Sequence, residues 1–243
     1  MSMVLIIGAK SDIAKAVARK YAEQGYDLFL AARGSDELAA LASDIEIRSQ
    51  RNVKYGELDI LDFDSHQAFY DALEEKPVGV VSAVGYLGSQ EKAQNDFAEA
   101  QRIVNTNYLG IVSLFDIIAA DFESRGSGFL VGISSVAGDR GRKSNYIYGS
   151  AKAAFSAYLS GLRNRLYAAG VQVLTVKPGF VATSMTEGMD LPAKLTAQPE
   201  QVAADIFRAQ QKGKSILYTK WIWRWIMLII QHIPEWQFKR MSL

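Results

Sequence analysis

Short apolar runs alternate with amphipathic stretches along most of the chain. Seven runs rich in Val, Ile and Leu predict strands, at residues 4–7, 27–31, 52–58, 78–83, 128–134, 171–176 and 215–218. Between them, apolar positions recur with a period of about 3.6 residues and predict helices over residues 13–24, 63–74, 95–122, 146–169 and 199–210. Strands separated by helices pair in parallel. The pattern therefore predicts an α/β fold, a doubly wound seven-stranded parallel sheet with helices on both faces.

Several of the predicted strands contain continuously apolar runs and show no alternation between apolar and polar residues there. Leu5, Ile6 and Ile7 are consecutive, and residues 78–81 contain no charge. Such runs are typical of strands that are covered on both faces. No Pro/Ser-rich linker or repeat divides the 243 residues. We therefore predict one domain over residues 1–218, followed by a Trp-rich extension of the same domain over residues 219–243.

Charge and composition narrow the classes of partner. The chain has 27 Lys plus Arg against 26 Asp plus Glu, and so it has no strong basic field for nucleic acid. It has no cysteine, which excludes disulfides and thiolate chemistry. His66 and His232 are far apart in sequence, and no metal site is predicted. The first residues predict a strand rather than a cleavable leader, so we expect a cytoplasmic protein.

Candidate acid–base chemistry lies at Tyr148, Lys152 and Ser135. Residues four apart on a helix share a face, and Ser135 follows the strand predicted over residues 128–134. A nearby cation lowers the pKa of a phenol, which can then exchange a proton with a carbonyl oxygen that Ser135 also holds. The same spacing arises by chance in amphipathic helices. Tyr146 is a poorer candidate, because Ser150 rather than a lysine stands four residues later.

A turn of small residues follows the first predicted strand, over residues 8–14. Backbone N–H groups at such a strand-to-helix junction can bind a pyrophosphate. An ordinary tight turn is the alternative. The predicted contacts are Gly8, Lys10, Ser11, Asp12 and Ile13.

The end of the second predicted strand bears on the choice of cofactor. Ala32 supplies no carboxylate for a ribose 2′-hydroxyl, whereas Arg33, with Lys10 nearby, can pair with a 2′-phosphate. This favours NADPH over NADH, although an arginine at a strand end is often only a solvated charge. Asp59 follows the third strand and is predicted to accept from an adenine amino group, or else to cap a helix.

In this order the motifs resemble those of the short-chain dehydrogenase/reductase family, of the compact single-domain kind, along residues 3–218. Ser82-Ala83-Val84-Gly85 stands where that family has Asn-Asn-Ala-Gly, and residues 178–183 resemble its nicotinamide-side turn. The resemblance implies a Rossmann fold, catalytic roles for Asn107, Ser135, Tyr148 and Lys152, and cofactor contacts at Gly8, Lys10, Ser11, Asp12, Ile13, Arg33, Asp59, Ala83, Gly85, Tyr148, Lys152, Pro178, Gly179, Val181 and Thr183.

The resemblance also implies the reaction. Hydride passes from the nicotinamide to a carbonyl carbon while Tyr148 delivers the proton. Lys152 lowers the pKa of Tyr148 and holds the nicotinamide ribose, and Ser135 polarises the carbonyl. Asn107 fixes a water that links Lys152 to solvent.

Two departures from the family pattern concern the cofactor site. Asp12 and Ala14 replace the second and third glycines of the turn, and both asparagines of Asn-Asn-Ala-Gly are lost. We expect Asp12 to cap the helix that follows and Ala14 to permit close helix–strand packing. These changes bear on cofactor affinity more than on cofactor identity.

The substrate side is predicted from the loop over residues 183–196. This loop contains Met185, Met189, Leu191, Pro192 and Leu195 and few charges. Flexible Met-rich surface suits a lipophilic substrate. The alternative is a connector whose methionines are incidental.

Residues 221–230 are apolar around nearly the whole circumference of the predicted helix. They are too short to cross about 30 Å of hydrocarbon. Four alternatives stay open: a subunit interface, since the family usually forms homodimers or homotetramers; peripheral contact with the inner face of a membrane; a cover for a lipid-linked carbonyl substrate; or a disordered segment. The tail and the first turn are similar to the branch containing the bacterial decaprenylphosphoryl-2-keto-ribose reductases, which implies a polyprenyl-phosphate-linked keto sugar.

Three functions compete on this evidence. The first is an NADPH-dependent carbonyl reductase. The second is a non-catalytic NADP(H)-binding sensor or scaffold, although such proteins generally lose the tyrosine or the lysine that this chain retains. The third, an extended epimerase or dehydratase, needs a larger C-terminal substrate domain than the sequence offers.

Overall fold

The computed structural model describes residues 2–188 and 190–241. Its sheet has seven parallel strands in the order β3-β2-β1-β4-β5-β6-β7. This confirms the predicted fold class and all seven predicted strands. The strands are β1 (Met3–Ile7), β2 (Asp27–Ala32), β3 (Val53–Glu57), β4 (Gly79–Ser82), β5 (Phe129–Ile133), β6 (Gln172–Pro178) and β7 (Ile216–Thr219).

Helices connect the strands and cover both faces of the sheet. They are α1 (Asp12–Glu23), α2 (Ala39–Ser49), α3 (Ser65–Asp71), α4 (Gln90–Ala93), α5 (Phe97–Val104), α6 (Gly110–Arg125), α7 (Tyr146–Leu166), α8 (Pro199–Gln211), α9 (Ile222–His232) and α10 (Glu235–Phe238). The apolar pattern did not predict α2, because only Ala42 and Ile45 of this helix are buried.

Each face of the sheet has its own core. On one face, Val17 of α1 and Ile206 of α8 are fully buried among residues of β1, β2 and β5. On the other face, Phe115 of α6 and Phe155 of α7 are fully buried. All five residues of β1 are buried between these layers. This two-sided covering explains why the sequence of β1 shows no polar alternation.

The helix predicted over residues 95–122 is interrupted. A five-residue π-helical turn, Asn105–Leu109, separates α5 from α6. Asn107 lies fully buried in this turn, where its Oδ1 accepts from the Tyr86 N–H (3.1 Å) and its Nδ2 donates to the carbonyls of Tyr86 (2.7 Å) and Ile103 (2.8 Å). Turns of this type occur often at functional sites. The apolar period alone gave no sign of it.

The stretch Phe97–Arg125, which contains α5 and α6, is long and apolar enough by composition to cross a membrane. Leu114, Phe115 and Ile118 are fully buried against the sheet. The apolar character of this stretch is therefore that of a core helix.

The N-terminus of α1 corrects one prediction. Ser11, and not Asp12, caps the helix, because the Ser11 Oγ accepts from the backbone N–H of Ala14 (3.2 Å). The Asp12 carboxylate instead accepts from the backbone N–H (2.8 Å) and the hydroxyl (3.0 Å) of Ser184. These bonds lower the pKa of Asp12. Asp12 thus joins the turn after β1 to the segment after β6.

The Trp-rich tail packs onto the body of the domain. In α9, Trp223 and Met227 are buried against Val136. A Cβ at Gly179 would lie 2.0 Å from the Trp223 ring, so only glycine permits this contact. The segment that is apolar all round in sequence therefore has one buried face and one exposed face.

Candidate active site

A long cleft lies where the strand order reverses, between β1 and β4 at the carboxyl ends of the strands. Ligands bind at this position in open α/β sheets. The cleft consists of two adjoining cavities of about 260 Å³ and about 240 Å³. Both cavities are lined by Ser11, Ala83, Val84 and Gly85. Together they give an elongated site of the kind that a dinucleotide needs.

The structure brings most of the predicted site residues to this cleft. The larger cavity is lined by Ser11, Asp12, Ile13, Ala83, Gly85, Ser135, Tyr148, Lys152, Pro178, Gly179, Val181 and Thr183. The smaller is lined by Gly8, Lys10, Ser11, Arg33, Ala83 and Gly85. Asp59 and Asn107 do not line either cavity and lie beside neighbours that do.

The turn after β1 fits a pyrophosphate. Gly8 has a φ of +77°, and a Cβ there would lie 3.0 Å from the backbone N of Val84. Glycine therefore lets this turn approach the end of β4 closely. The helix α1 starts directly behind it with its N–H groups toward the cleft, which suits an anion. The residues present thus fit a dinucleotide, although two of the family's glycines are replaced.

The charged side chains at the smaller cavity differ in whether they have an ion-pair partner. The Lys10 Nζ donates to the carbonyl of Arg33 (3.1 Å) and pairs with Glu37 (2.7 Å). The Glu57 carboxylate accepts from the backbone N–H groups of Gly34 and Ser35 (both 2.9 Å), and these bonds lower its pKa. Within residues 2–188 and 190–241, Arg33 has no ion pair. Its guanidinium is therefore available to a ligand.

Asp59 is used by its own turn. Its Oδ1 accepts from the backbone N–H of Leu61 (2.9 Å). Leu58, Ile60 and Leu61 form the adjacent wall of the smaller cavity. The structure places Asp59 beside residues that line the smaller cavity, and its contact with an adenine stays a prediction.

Of the two serines after β5, Ser135 is the candidate for contact with a substrate, because it lines the larger cavity together with Tyr148. It follows β5, and its Oγ accepts from the backbone N–H of Ala137 (3.1 Å). The neighbouring Ser134 is buried and donates its hydroxyl to the carbonyl of Lys152 (2.9 Å). Successive residues in extended backbone point in opposite directions. Ser134 therefore anchors α7, while Ser135 lines the cavity with Tyr148.

Tyr148 and Lys152 lie one turn apart on α7. The Lys152 Nζ is 5.8 Å from the Tyr148 ring centroid and donates to the carbonyls of Ile133 (3.1 Å) and Val84 (3.3 Å). Lys152 is only 2% exposed. Tyr146 is exposed and does not line either cavity, and Tyr86 lines the smaller one, which leaves Tyr148 as the phenol that lines the larger cavity.

The electrostatics correct the expected effect of the lysine on the tyrosine. Burial raises the pKa of Tyr148 to about 12, partly offset by a hydrogen bond from Ser135. Burial also lowers the pKa of Lys152 to about 7. The predicted lowering of the Tyr148 pKa by Lys152 is therefore wrong for the protein alone, since desolvation dominates and the ammonium faces two carbonyls. Tyr148 is a protonated phenol at neutral pH.

The loop predicted as an apolar lid is only partly a cover. Met185 lines the larger cavity, and Leu195 packs against α9, where its carbonyl accepts from the Trp223 Nε1 (3.1 Å). Met189 lies outside the described residues. Leu191 and Pro192 do not line the cleft.

Sequence reasoning missed several residues of the larger cavity. They are Leu87, Val136, Arg142, Asn145, Phe180 and Trp223. Phe180 lies inside the turn over residues 178–183 but was not predicted as a contact. The others belong to loops and to α9, and no motif marks them. The sequence shows a cluster of tryptophans in the tail, but nothing in it indicates that Trp223 lines the larger cavity.

Comparisons with known proteins agree with this geometry. The pattern of the family described as short chain dehydrogenase matches residues 2–192. An uncharacterized oxidoreductase of Mycobacterium tuberculosis is 40% identical over 241 residues, which are 98% of this chain and 96% of the relative. Sulfoacetaldehyde reductase 2 of Chromohalobacter salexigens is 31% identical over 189 residues, 76% of this chain and 74% of that protein.

Solved structures share the fold. A short-chain dehydrogenase from Sphingobium yanoikuyae in complex with NADPH has a TM-score of 0.83 at 22% identity, with 97% of each chain covered. A bulky-bulky ketone specific alcohol dehydrogenase from Comamonas testosteroni has a TM-score of 0.82 at 22% identity, with 97% of this chain and 96% of that chain covered. The chain belongs to the short-chain dehydrogenase family of oxidoreductases.

Proposed function

We propose that this oxidoreductase is an NADPH-dependent carbonyl reductase in which Tyr148 donates the proton. The observation that carries the proposal is that Ser135, Tyr148 and Lys152 line one cavity, which adjoins the turn at Gly8. A phenol with a raised pKa is protonated at neutral pH. It is therefore in the correct state to protonate the oxygen of a carbonyl group undergoing reduction.

Each residue of the site has a separate task. NADPH, when bound in the cleft, would supply the hydride, that is two electrons and one proton, for the carbonyl carbon. Tyr148 gives its proton to the carbonyl oxygen, and an alcohol is formed. Ser135 donates a hydrogen bond to the same oxygen, and the Lys152 Nζ binds the ribose hydroxyls of the cofactor.

Asn107 is a positioning residue in this proposal. Both protons of its side-chain amide are used by the carbonyls of Tyr86 and Ile103, and its Oδ1 accepts from Tyr86. These bonds hold the segment that ends β4 next to Lys152. The contact of Asn107 with a water that serves Lys152 stays a prediction.

The direct test is NADPH oxidation with a panel of aldehydes and ketones. The proposal requires turnover of at least one of them by the wild-type chain. Tight NADPH binding without oxidation across the panel would contradict it and would favour a binding protein on the same fold.

The preference for NADPH over NADH is proposed to depend on Arg33. The backbone donors of Gly34 and Ser35 already bind Glu57, so the guanidinium is the group that remains for a 2′-phosphate. Charge-assisted bonds of this kind are strong. We expect Arg33→Ser to lower kcat/KM for NADPH by about tenfold or more and to leave that for NADH nearly unchanged.

Steady-state kinetics with both cofactors measure this ratio. Arg51→Ser is the matched control, because Arg51 does not line either cavity and donates to the carbonyl of Gly25. An equal loss with both cofactors in Arg33→Ser would contradict the assignment.

The walls of the larger cavity support a lipophilic substrate. Val136, Phe180, Met185 and Trp223 surround the catalytic side. A carbonyl compound with a large apolar part fits this lining. The polyprenyl-phosphate-linked keto sugar implied by the resemblance of the tail is one compound of this class.

We also propose peripheral binding of α9 to the anionic inner face of a membrane. Trp221 directly before this helix and Trp225 and Ile229 on it are exposed, with 74%, 55% and 67% of their surface accessible. Residues 219–241 contain four Lys or Arg and one acid, Glu235, which pairs with Arg140. Tryptophans beside cations suit an anionic lipid surface, whereas two copies of this positive face would repel each other. A cytoplasmic homodimer or homotetramer would then form through other faces.

Co-sedimentation with vesicles tests this contact. We expect the full chain to bind anionic vesicles several-fold better than zwitterionic ones and Trp225→Ser to lose most of that binding. Ile47→Ser is the control, since Ile47 on α2 is 78% exposed and is far from α9 in the sequence. A dimer that dissociates on Trp225→Ser, with no vesicle binding by the wild type, would assign the face to a second copy.

A further inference from the structure

Arg142 is a charged residue of the larger cavity that the fold does not use. It is half-buried in the loop between β5 and α7. Its Nε is buried and has no hydrogen-bond partner, and one terminal nitrogen contacts only the Met227 Sδ, at 3.2 Å. In the described part of the chain no carboxylate lies within ion-pair distance of it.

The surrounding charges do not satisfy this guanidinium. Asp139 is the acid whose field reaches Arg142, but its oxygens are bound by Lys177 and by the hydroxyl of Tyr218 (2.9 Å). Arg140 shows the contrast, because it donates to the carbonyls of Ile230 and Ile233 and pairs with Glu235. Arg140 thus fastens the tail, whereas Arg142 has no structural role of that kind.

A cation that is partly removed from water without an anion destabilises the fold. Burial accordingly lowers the pKa of Arg142. A second polar group of the same cavity, the Asn145 Oδ1, is also buried without a partner. Two unsatisfied groups on one wall of one cavity indicate a ligand that carries an anion and a hydrogen-bond donor.

The position of Arg142 separates it from the cofactor end of the cleft. Met227, which it contacts, belongs to α9 and packs on Val136 at the catalytic side. Of the turn after β1, Gly8 and Lys10 line only the other cavity, whereas Asp12 and Ile13 line this one and Ser11 lines both. The guanidinium therefore faces the space for the substrate.

We propose that Arg142 binds an acidic group of the substrate, so that the natural carbonyl compound carries a carboxylate, sulfonate or phosphate. The planar guanidinium can bind each of these oxyanions through two parallel hydrogen bonds. Asn145 accepts from a hydroxyl next to that group. This inference rests on the proposed carbonyl reduction, and it refines the lipophilic substrate to an amphiphilic one.

The kinetic test compares a keto acid with its methyl ester. We expect the wild type to prefer the acid by about tenfold or more in kcat/KM and Arg142→Gln to abolish that preference. Arg142→Lys keeps the positive charge but not the planar pair of N–H donors, and this variant is expected to retain part of the preference for the acid. Lys143→Gln is the matched control, since it removes an exposed cation of the same loop, and the preference should persist.

A binding measurement makes the result independent of turnover. Trp223 lines the cavity, so its fluorescence can follow a non-reducible carboxylate and the matching amide on the NADPH-loaded protein. We expect tighter binding of the carboxylate, lost in Arg142→Gln. Equal binding of acid and amide by the wild type, or a preference that survives Arg142→Gln, would overturn the proposal. If the protein binds the carboxylate but reduces no carbonyl compound, the anion-binding role of Arg142 stands and the proposed reductase activity is wrong.

Discussion

Tyr148→Phe is expected to lower kcat by about 10²- to 10⁴-fold while the affinity for NADPH changes by less than about twofold. The substitution removes one hydroxyl and keeps the ring that packs above Lys152. The proton for the carbonyl oxygen is then lost, whereas the pyrophosphate turn at Gly8 is untouched. Single-turnover kinetics with NADPH, together with a fluorescence titration of the cofactor, measure the two quantities separately.

Tyr146→Phe is the control for this result. Tyr146 is on the same helix and loses the same hydroxyl, but its side chain is outside both cavities and its OH is 3.4 Å from the Gln94 Oε1. The kcat of Tyr146→Phe should stay within about twofold of the wild-type value. A Tyr148→Phe protein that retains a large part of wild-type turnover would contradict the assignment of the acid.

Lys152→Met is expected to remove a pH dependence from the folding stability. Burial lowers the pKa of Lys152 from 10.5 to about 7 in the folded protein, and the ordinary value applies to the unfolded chain. Between these values the unfolded state binds one proton more than the folded state. The free energy of unfolding should therefore rise with pH above about pH 7, by at most about 1.4 kcal/mol per pH unit.

Urea denaturation without added nucleotide, between about pH 7 and about pH 9, measures this slope. Below about pH 7 both states are protonated, so Lys152 adds no slope there. The Tyr148 phenol, with its raised pKa, titrates above this window. Lys143→Met, at an exposed lysine, should keep the wild-type slope. A slope that is unchanged in Lys152→Met would show that the buried amine stays protonated through this range.

Much of the fold and the catalytic side could be predicted from local pattern. β1, which is covered on both faces, is apolar throughout. The alternation of short apolar runs with helical stretches identified all seven strands. The spacing of Tyr148 and Lys152 on one helix indicated their shared face. Gly8 was identifiable because a close approach of two backbones requires a residue without a side chain.

Other features depend on contacts between distant segments. The bonds from Ser184 to Asp12 join residues 172 positions apart, so no local capping rule could foresee them. The π-helical turn at Asn107 depends on Tyr86, which lies outside the helix. Desolvation reversed the expected pKa of Tyr148, because burial is a property of the whole fold.

By itself the sequence determined the seven-stranded parallel sheet, the order of the motifs and the candidate groups for proton transfer, since these follow from periodicity and residue type. Only the tertiary structure decided which polar groups are left without partners. Arg140 and Arg142 are two arginines of the same loop, yet Arg140 binds the tail and Arg142 lines the larger cavity. The reason is that hydrogen-bond satisfaction is fixed by the surroundings of an atom, and those surroundings exist only after the chain has folded.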